Sequence, residues 1–295
     1  MEHLWKIVTK PDNLPIVLML VLTIFYTWYA MRKALRNDRQ EIPEEAKQAD
    51  KVQVWPFLVK VEFLGALVVM VILTFWSFLI DAPLEEPANP ALTPNPSKAP
   101  WYFLGLQEIL VYFDPWIAGV VLPGLIIFGL CAIPYIDINP KGNGYYTFKE
   151  RPFAVLTFCF GFLFMWVALI VLGTFFRGPG WNLFWPWEYW DTHRVVALTN
   201  VDFTEKFFGV PTRRVDDSLN PLAMAIGGAA ILLWYAIPVA YYFGKRNTDL
   251  IKKMGPLRYG ITAFLFMTMM AVPVKIILRL TMNIKYIVVT PFFNI

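Results

Sequence analysis

The chain has 295 residues, of which 57% are apolar and 16% are charged, against about 45–50% and about 25% in an ordinary soluble domain. The apolar residues form long charge-free blocks, which a hydrocarbon layer about 30 Å thick requires, so the composition excludes a soluble globular protein. The net charge of +4 is spread over the polar segments between the blocks rather than collected in one tract, so it says little about nucleic acid and indicates membrane topology rather than ligand binding.

Six apolar blocks are long enough, at about 17–25 residues, to cross a bilayer as helices. They are Leu14–Met31, Phe63–Ile80, Pro115–Ile136, Pro152–Phe176, Ser218–Gly244 and Tyr259–Leu278. No small-residue cleavage site follows the first block, which indicates a retained anchor rather than a signal peptide. In the sixth block we expect the long side chain of Lys275 to snorkel to the interface. The sequence therefore predicts an all-α fold, a polytopic transmembrane helical bundle of about six spans.

Basic residues are concentrated in the connections on one side of these spans. They are Arg32, Lys33, Arg36, Arg39, Lys47, Lys51, Lys141, Lys149, Arg151, Lys245, Arg246, Lys252, Lys253 and Arg258. The positive-inside rule makes that side cytoplasmic and places both termini outside. The stretch Arg32–Lys51 mixes charges with good helix formers, and we expect it to form a helix on the cytoplasmic surface.

The cysteines and histidines exclude several kinds of haem site. Cys131 and Cys159 both lie in apolar blocks and form no C-x-x-C-H pattern, which excludes a covalent haem. His3 and His193 are the only histidines and both lie in polar flanks, whereas two bis-histidine haems in a bundle require four on membrane helices. We therefore expect no haem bound by this chain alone and no metal site.

The connection from the second span to the third reads FLIDAPLEEPANPALTPNPSKAPWYFLGLQEILVYFDPW. Its prolines forbid a regular helix, so residues 82–100 are predicted to form an extended, stiff coil. Beyond it, Trp101, Leu104 and Glu108 fall at positions i, i+3 and i+7, on one face of a short helix that ends before Pro115. This face suits a quinol, because apolar walls hold the ring while a carboxylate takes a proton. The spacing leaves open that the aromatics are ordinary interfacial residues and that the glutamate is solvated.

The segment from Gln53 to about Arg177 resembles the C-terminal half of the cytochrome b family, which is a separate subunit (subunit IV) in split complexes. The resemblance is carried by the strings APLEEPANPALTPNPSKAPWYF and YFDPWIAGVVLPGLIIFGLCAIPYIDINP. The string KAPWYFLGLQE is most similar to bacterial menaquinol-oxidising complexes. The resemblance implies a quinol or quinone, menaquinol in that version, at an interface. It also implies haem b and an iron–sulfur cluster in partner subunits, namely a haem-bearing cytochrome b, a Rieske-type iron–sulfur protein and a c-type cytochrome.

This family marks its outer quinol-oxidation site with Pro-Glu-Trp-Tyr. Trp101 and Tyr102 match the last two positions, but Ala99 and Pro100 stand where the proline and glutamate would be. The family's proton-accepting glutamate is therefore absent from its usual place.

Two later carboxylates, Glu108 and Asp114, are candidates for that role. We assign the catalytic role to Glu108, because it shares a helix face with Trp101. The predicted quinone-binding residues are Pro100, Trp101, Tyr102, Leu104 and Gln107. The last of these stands where a quinone-contacting aromatic is common in the family.

The resemblance divides the chain into four parts. Residues 1–52 form a transmembrane helix with a cytoplasmic surface helix, residues 53–177 a three-helix core, residues 178–217 an aromatic-rich outer loop, and residues 218–295 two additional transmembrane helices and a tail. The aromatics of the outer loop are typical of an interfacial belt, with a partner-docking surface as the alternative. They are Trp181, Phe184, Trp185, Trp187, Tyr189 and Trp190.

Three functional hypotheses follow. The first is a non-haem membrane subunit of a quinol:cytochrome c oxidoreductase-type complex, in the bacterial cytoplasmic (inner) membrane, that contributes the outer quinol-oxidation pocket. The second is a structural scaffold subunit of a respiratory complex without a direct quinone role. The third is a transporter, which is disfavoured because the spans lack paired intramembrane charges and repeat symmetry.

Overall fold

The computed structural model describes residues 2–40, 43, 53–81, 87–91, 93–138, 145–196 and 199–295. Within these ranges the chain is helical, and its only extended pairings are isolated bridges. The helices, numbered here in chain order, are α1 (Glu2–Val8), α2 (Pro11–Gln40), α3 (Val54–Leu79), α4 (Leu104–Ile109), α5 (Ile117–Ile136), α6 (Pro152–Phe176), α7 (Phe203–Phe208), α8 (Pro221–Lys245) and α9 (Asp249–Met282). Six of these, α2, α3, α5, α6, α8 and α9, are long and apolar enough to cross a membrane. The predicted all-α polytopic fold is thereby confirmed.

Three spans run further than the hydropathy blocks. Helix α3 begins at Val54 rather than at Phe63. Helix α2 continues without a break to Gln40, so the first part of the predicted surface helix extends the span itself. The rest of that prediction, residues 41–51 apart from Pro43, lies outside the described residues. Helix α9 begins at Asp249 rather than at Tyr259, and it bends where Gly255 adopts a φ of 70° before Pro256, since proline cannot continue the hydrogen-bond ladder.

The described residues divide into two units, residues 1–94 with 139–157 and residues 95–138 with 158–295. In the first unit the end of α2 is joined to the segment that leads into α6. The Asp38 carboxylate accepts hydrogen bonds from the backbone N–H groups of Phe148 (3.0 Å) and Lys149 (3.1 Å), and Asn37 donates to the Tyr146 carbonyl (2.9 Å). Helix α3 buries none of its residues, so its apolar surface faces lipid or other chains.

The core of the second unit forms where α4 packs against α6, together with α5, which contacts α9. Its buried side chains are Ile109, Tyr112, Phe113, Ala118, Leu169 and Val272. Helix α4 approaches α6 closely because Gly105 has no side chain: a Cβ there would lie 3.2 Å from the Trp166 ring and 3.3 Å from Ile170. This close packing holds the short α4 helix against the long spans.

The chain after α9 folds back onto the second unit. Asn283 ends the helix in a left-handed conformation, Ile284 forms a bridge with Val201, and the Phe203 N–H donates to the Tyr286 carbonyl. The expected snorkelling of Lys275 is wrong, because its side chain is only 2% exposed and its Nζ donates to the Lys285 carbonyl at 2.7 Å. The returning tail therefore supplies an acceptor for this ammonium group inside the protein.

The tail packs closely against α8 at Gly227, which has no side chain in the way. A Cβ at this position would lie 3.0 Å from the Val288 Cβ and closer still to the Ile287 carbonyl oxygen, whereas a Cβ on the neighbouring Gly228 meets no heavy atom within 4 Å.

We predict that Gly227→Ala lowers the free energy of unfolding by about 1–3 kcal/mol, because backbone must move to accept the methyl group. Gly228→Ala is the matched control and is expected to be neutral or slightly stabilising, since alanine favours helix. Thermal unfolding in detergent, with protease accessibility of residues 283–295, measures both variants. Equal behaviour of the two would contradict the close contact.

Candidate functional site

The proline-rich coil is fixed by polar side chains on both sides. Described residues 87–91 and 93–100 form no helix or strand, as predicted, while residues 82–86 and 92 lie outside the described ranges. The side-chain amide of Gln107 accepts a hydrogen bond from the Ala99 N–H and donates one to the Ser97 carbonyl, both at 2.9 Å. Lys98 donates to the Thr174 carbonyl at 2.9 Å and lies 4.8 Å from the centroid of the Trp190 ring. These contacts hold residues 97–99 of the coil against the end of α6 that carries Thr174.

An aromatic cluster follows the coil, which we call the aromatic wall and define as Trp101, Tyr102 and Phe103. The rings of Trp101 and Tyr102 meet edge to face at 5.6 Å, and those of Tyr102 and Phe103 lie 4.4 Å apart. Tyr102 and Phe103 are about half exposed, at 49% and 48%. Pro100 beside them is exposed. The wall therefore offers an apolar aromatic surface, made of ring edges and ring faces, that a planar ring can contact.

The predicted quinone-binding residues do not all lie on this surface. Pro100, Trp101 and Tyr102 are contiguous in the turn before α4, which begins at Leu104. Leu104 points into the core and is 3% exposed. The side-chain amide of Gln107 is hydrogen-bonded to the backbone of Ala99 and Ser97, so Gln107 holds the coil in place rather than facing a ligand.

Glu108 is completely buried, at 0% exposure. Its carboxylate accepts hydrogen bonds from Arg177, with Nη2–Oε1 at 2.6 Å and Nε–Oε2 at 2.9 Å, and from the Tyr112 hydroxyl at 2.8 Å. Arg177 donates in addition to the Trp181 carbonyl at 2.9 Å. The resulting charged pair ties α4 to the residue directly after α6.

The environment fixes the protonation of the two donors. Burial, reinforced by the negative charge of Glu108, raises the pKa of Tyr112. For Arg177 burial acts to lower the pKa, but the hydrogen bond and charge of Glu108 outweigh it and the pKa is raised. Tyr112 thus stays a neutral hydroxyl donor and Arg177 stays a cation, which a buried carboxylate requires if it is to remain ionised.

We predict that Tyr112→Phe lowers the free energy of unfolding by about 1.5–3 kcal/mol, the range for a hydrogen bond to a charged group. The pKa of Tyr112 is higher in the folded state than the value near 10 of the unfolded state. The stabilisation by its hydroxyl is therefore complete below about pH 10 and is lost as the pH rises towards the folded-state pKa. The difference between wild type and Tyr112→Phe should therefore be constant from pH 6 to about 9.5. Denaturation curves across this range test it, and a difference that shrinks on acidification would contradict the assignment.

Asp114, the other candidate carboxylate, is half-buried. One oxygen accepts the Trp116 N–H at 3.2 Å at the start of α5, and the other accepts the Asn294 side-chain amide at 3.2 Å. Both hydrogen bonds are long, and part of the side chain is exposed at the surface. Of the two candidate carboxylates, Asp114 is therefore more accessible to a ligand than Glu108.

Sequence reasoning missed Arg177 and Tyr112. Tyr112 carries a local signal, since a donor four residues after Glu108 lies near it at the end of a helix. Arg177 carries a weaker one, as the charge that directly follows a long apolar block. Its pairing with a residue sixty-nine positions away depends on the packing of α4 on α6, which no spacing reveals.

Comparisons with known proteins bear on the same part of the chain. Residues 87–182 match the family described as cytochrome b (C-terminal)/b6/petD. A protein named cytochrome b from Acanthamoeba castellanii is 30% identical over 96 residues, which are 31% of this chain and 25% of that relative. The chain thus aligns with about a quarter of the relative's length, and no solved structure matches it.

The matched range includes the coil, the aromatic wall, Glu108, Tyr112, Asp114, α5, α6 and Arg177. It begins at residue 87 rather than at Gln53, so the resemblance of α3 stays a prediction. Over residues 87–182 the predicted resemblance to the C-terminal part of the cytochrome b family is confirmed.

Proposed function

We propose that this protein is a membrane subunit of a cytochrome bc-type electron-transfer complex and that its aromatic wall forms part of the outer quinol-oxidation pocket. The observation that carries the proposal is the contiguous surface of Pro100, Trp101 and Tyr102, in which Pro100 and Tyr102 are exposed and Trp101 is partly exposed. It lies inside the range that matches the cytochrome b family. A coil braced by Gln107 and Lys98 holds this surface at the end of α6, which gives a quinol ring a preformed site.

The proton acceptor is proposed on geometry. A base must come within about 2.6–3.2 Å of the proton that it removes. Glu108, the candidate from the sequence, is enclosed by Arg177 and Tyr112, and to serve as the base it would have to leave Arg177. Because Asp114 is more exposed than Glu108, it is proposed as the acceptor, with Glu108 as a positioning residue that holds α4. The sequence-based assignment of Glu108 stays a prediction to be tested against it.

Haem and iron–sulfur chemistry belong to other chains in this proposal. His193 lies in an exposed turn of the outer loop, a poor setting for a buried axial ligand. We therefore propose a haem-bearing cytochrome b, a Rieske-type protein and a c-type cytochrome as partners, in a bacterial cytoplasmic membrane with menaquinol as the reductant. This chain would supply the surface that holds the quinol and the carboxylate that receives a proton as electrons pass to the partners.

Mild detergent extraction with an affinity tag on this chain tests the proposal. The purified material is expected to contain haem b, seen in the reduced-minus-oxidised spectrum, and to be reduced by menaquinol. The tagged chain expressed without its neighbours should bind no haem. Recovery of the chain from its native membrane without any haem-bearing partner would refute the proposal, whereas a haem-containing complex whose turnover ignores the aromatic wall would favour the scaffold hypothesis.

A further inference from the structure

The two additional spans, α8 and α9, enclose a groove that the proposed quinol site does not use. Its volume is about 380 Å³, within the range of about 300–1,000 Å³ typical of small-molecule sites. The lining residues are predominantly aromatic and aliphatic: Tyr235, Pro238, Tyr242, Pro256, Tyr259 and Phe264 are among them. The groove lies near the ends of the two helices that the short Arg246–Thr248 connection joins.

Gly260 contributes no side chain to the wall of the groove. A Cβ added there would meet no heavy atom within 4 Å. On either side, the ring of Tyr259 lies 5.2 Å from that of Tyr242, and the ring of Tyr235 stacks on that of Phe264 at 5.6 Å. The space between these rings is open.

Two of the lining tyrosines have their hydroxyls bound within the protein. The Tyr259 hydroxyl donates to the Pro238 carbonyl at 2.8 Å, and the Tyr235 hydroxyl is 2.8 Å from that of Thr268. These groups present ring carbons rather than donors to an occupant. A quinone headgroup needs hydrogen bonds to its carbonyls, whereas a hydrocarbon chain needs only apolar contact.

Five basic residues surround the same end of the helix pair. They are Lys245, Arg246, Lys252, Lys253 and Arg258, and all are exposed. None of the five forms an ion pair with an acid among the described residues. Lys245 follows the groove-lining Phe243 by two residues, and Arg258 directly precedes Tyr259, so each lies within about one helical turn, ~5 Å, of the lining.

We propose that this groove binds an anionic phospholipid, with one acyl chain among the aromatic side chains and the phosphate on the basic cluster. An apolar groove with exposed cations at one end fits a molecule with a hydrocarbon chain and a negative headgroup. The site holds the short connection between α8 and α9 at the membrane surface. It stands independently of the proposed quinol pocket.

Lipid binding to the full chain, purified with its partners and delipidated, tests the proposal. Dioleoyl phosphatidylglycerol and dioleoyl phosphatidylcholine are titrated separately and counted by native mass spectrometry. Wild type is expected to bind one phosphatidylglycerol on the order of tenfold more tightly than phosphatidylcholine. Gly260→Leu fills the groove and should abolish this binding, whereas Gly244→Leu, a glycine that is exposed and does not line the groove, should leave it intact.

A charge variant keeps the test decisive if Gly260→Leu fails to fold. Lys252→Gln/Lys253→Gln should reduce the affinity for phosphatidylglycerol towards that for phosphatidylcholine, and Lys206→Gln/Arg214→Gln, with the same loss of charge elsewhere, should not. Equal affinity of wild type for the two lipids, or unchanged binding in Gly260→Leu, would overturn the proposal. So would a quinone that co-purifies with wild type and is lost from Gly260→Leu.

Discussion

Glu108→Gln is expected to destabilise the protein more than any other single change considered for this chain. The substitution leaves the Arg177 guanidinium buried without its counter-charge, and breaking a buried pair in this way costs about 3–5 kcal/mol. Arg177 is only 8% exposed, so water compensates little. Thermal unfolding of the purified complex should show the loss, and an unchanged midpoint would contradict the buried pair.

The double variant Glu108→Gln/Arg177→Gln separates structure from chemistry. Removing both charges takes away the uncompensated buried cation, which is the main cost of the single substitution. We expect most of the stability and the quinol turnover to return. Recovered stability with turnover still reduced about 10²-fold or more, the size of a general-base contribution, would identify Glu108 as the proton acceptor after all.

Asp114→Asn completes this comparison. Asparagine is as good a helix N-cap as aspartate, so the substitution removes the charge and preserves the local fold. If Asp114 takes the proton, turnover falls about 10²-fold or more while the unfolding midpoint stays near that of wild type. Wild-type turnover with an unchanged pH profile would exclude this residue.

The second large effect is expected from the aromatic wall. Trp101→Leu/Tyr102→Leu removes the aromatic surface proposed to contact the quinol ring and should lower kcat/KM for menaquinol about 10–100-fold. This corresponds to the ~1–3 kcal/mol that aromatic contact and apolar burial provide together. The measurement is quinol-dependent reduction of the complex over a range of quinol concentrations.

The outer loop supplies a matched control for that experiment. Trp185 and Trp187 are exposed and stack with ring centroids 5.6 Å apart, but neither belongs to the predicted site. Trp185→Leu/Trp187→Leu removes a comparable aromatic surface and should leave kcat/KM within about threefold of wild type. A similar loss in both variants would indicate a general effect on membrane insertion rather than quinol contact.

The spans were predictable because hydrocarbon selects strongly for apolar length. The described proline-rich residues were predictable for a similar local reason, since Pro90, Pro94 and Pro100 exclude regular hydrogen bonding. The existence of α4 also followed from periodicity, although the helix begins at Leu104 rather than at Trp101.

The side-chain partners depend on long-range packing and were not predictable. The burial of Glu108 results from α4 packing on α6, which brings Arg177 to it. Lys275 looked like an interfacial lysine because its acceptor, the Lys285 carbonyl, lies in a tail whose return path has no local signature. In both cases the sequence identified a charge in an unusual place, and the fold supplied its partner.

Photolabelling with an azido-menaquinone analogue tests most directly whether this chain touches quinol. The complex is illuminated with the analogue, digested, and the labelled peptides are identified by mass spectrometry. We predict labelling within residues 100–103, suppressed by excess menaquinol and absent from Trp101→Leu/Tyr102→Leu. Labelling confined to partner subunits, with residues 100–103 recovered unmodified, would contradict the claim that the aromatic wall forms the quinol pocket.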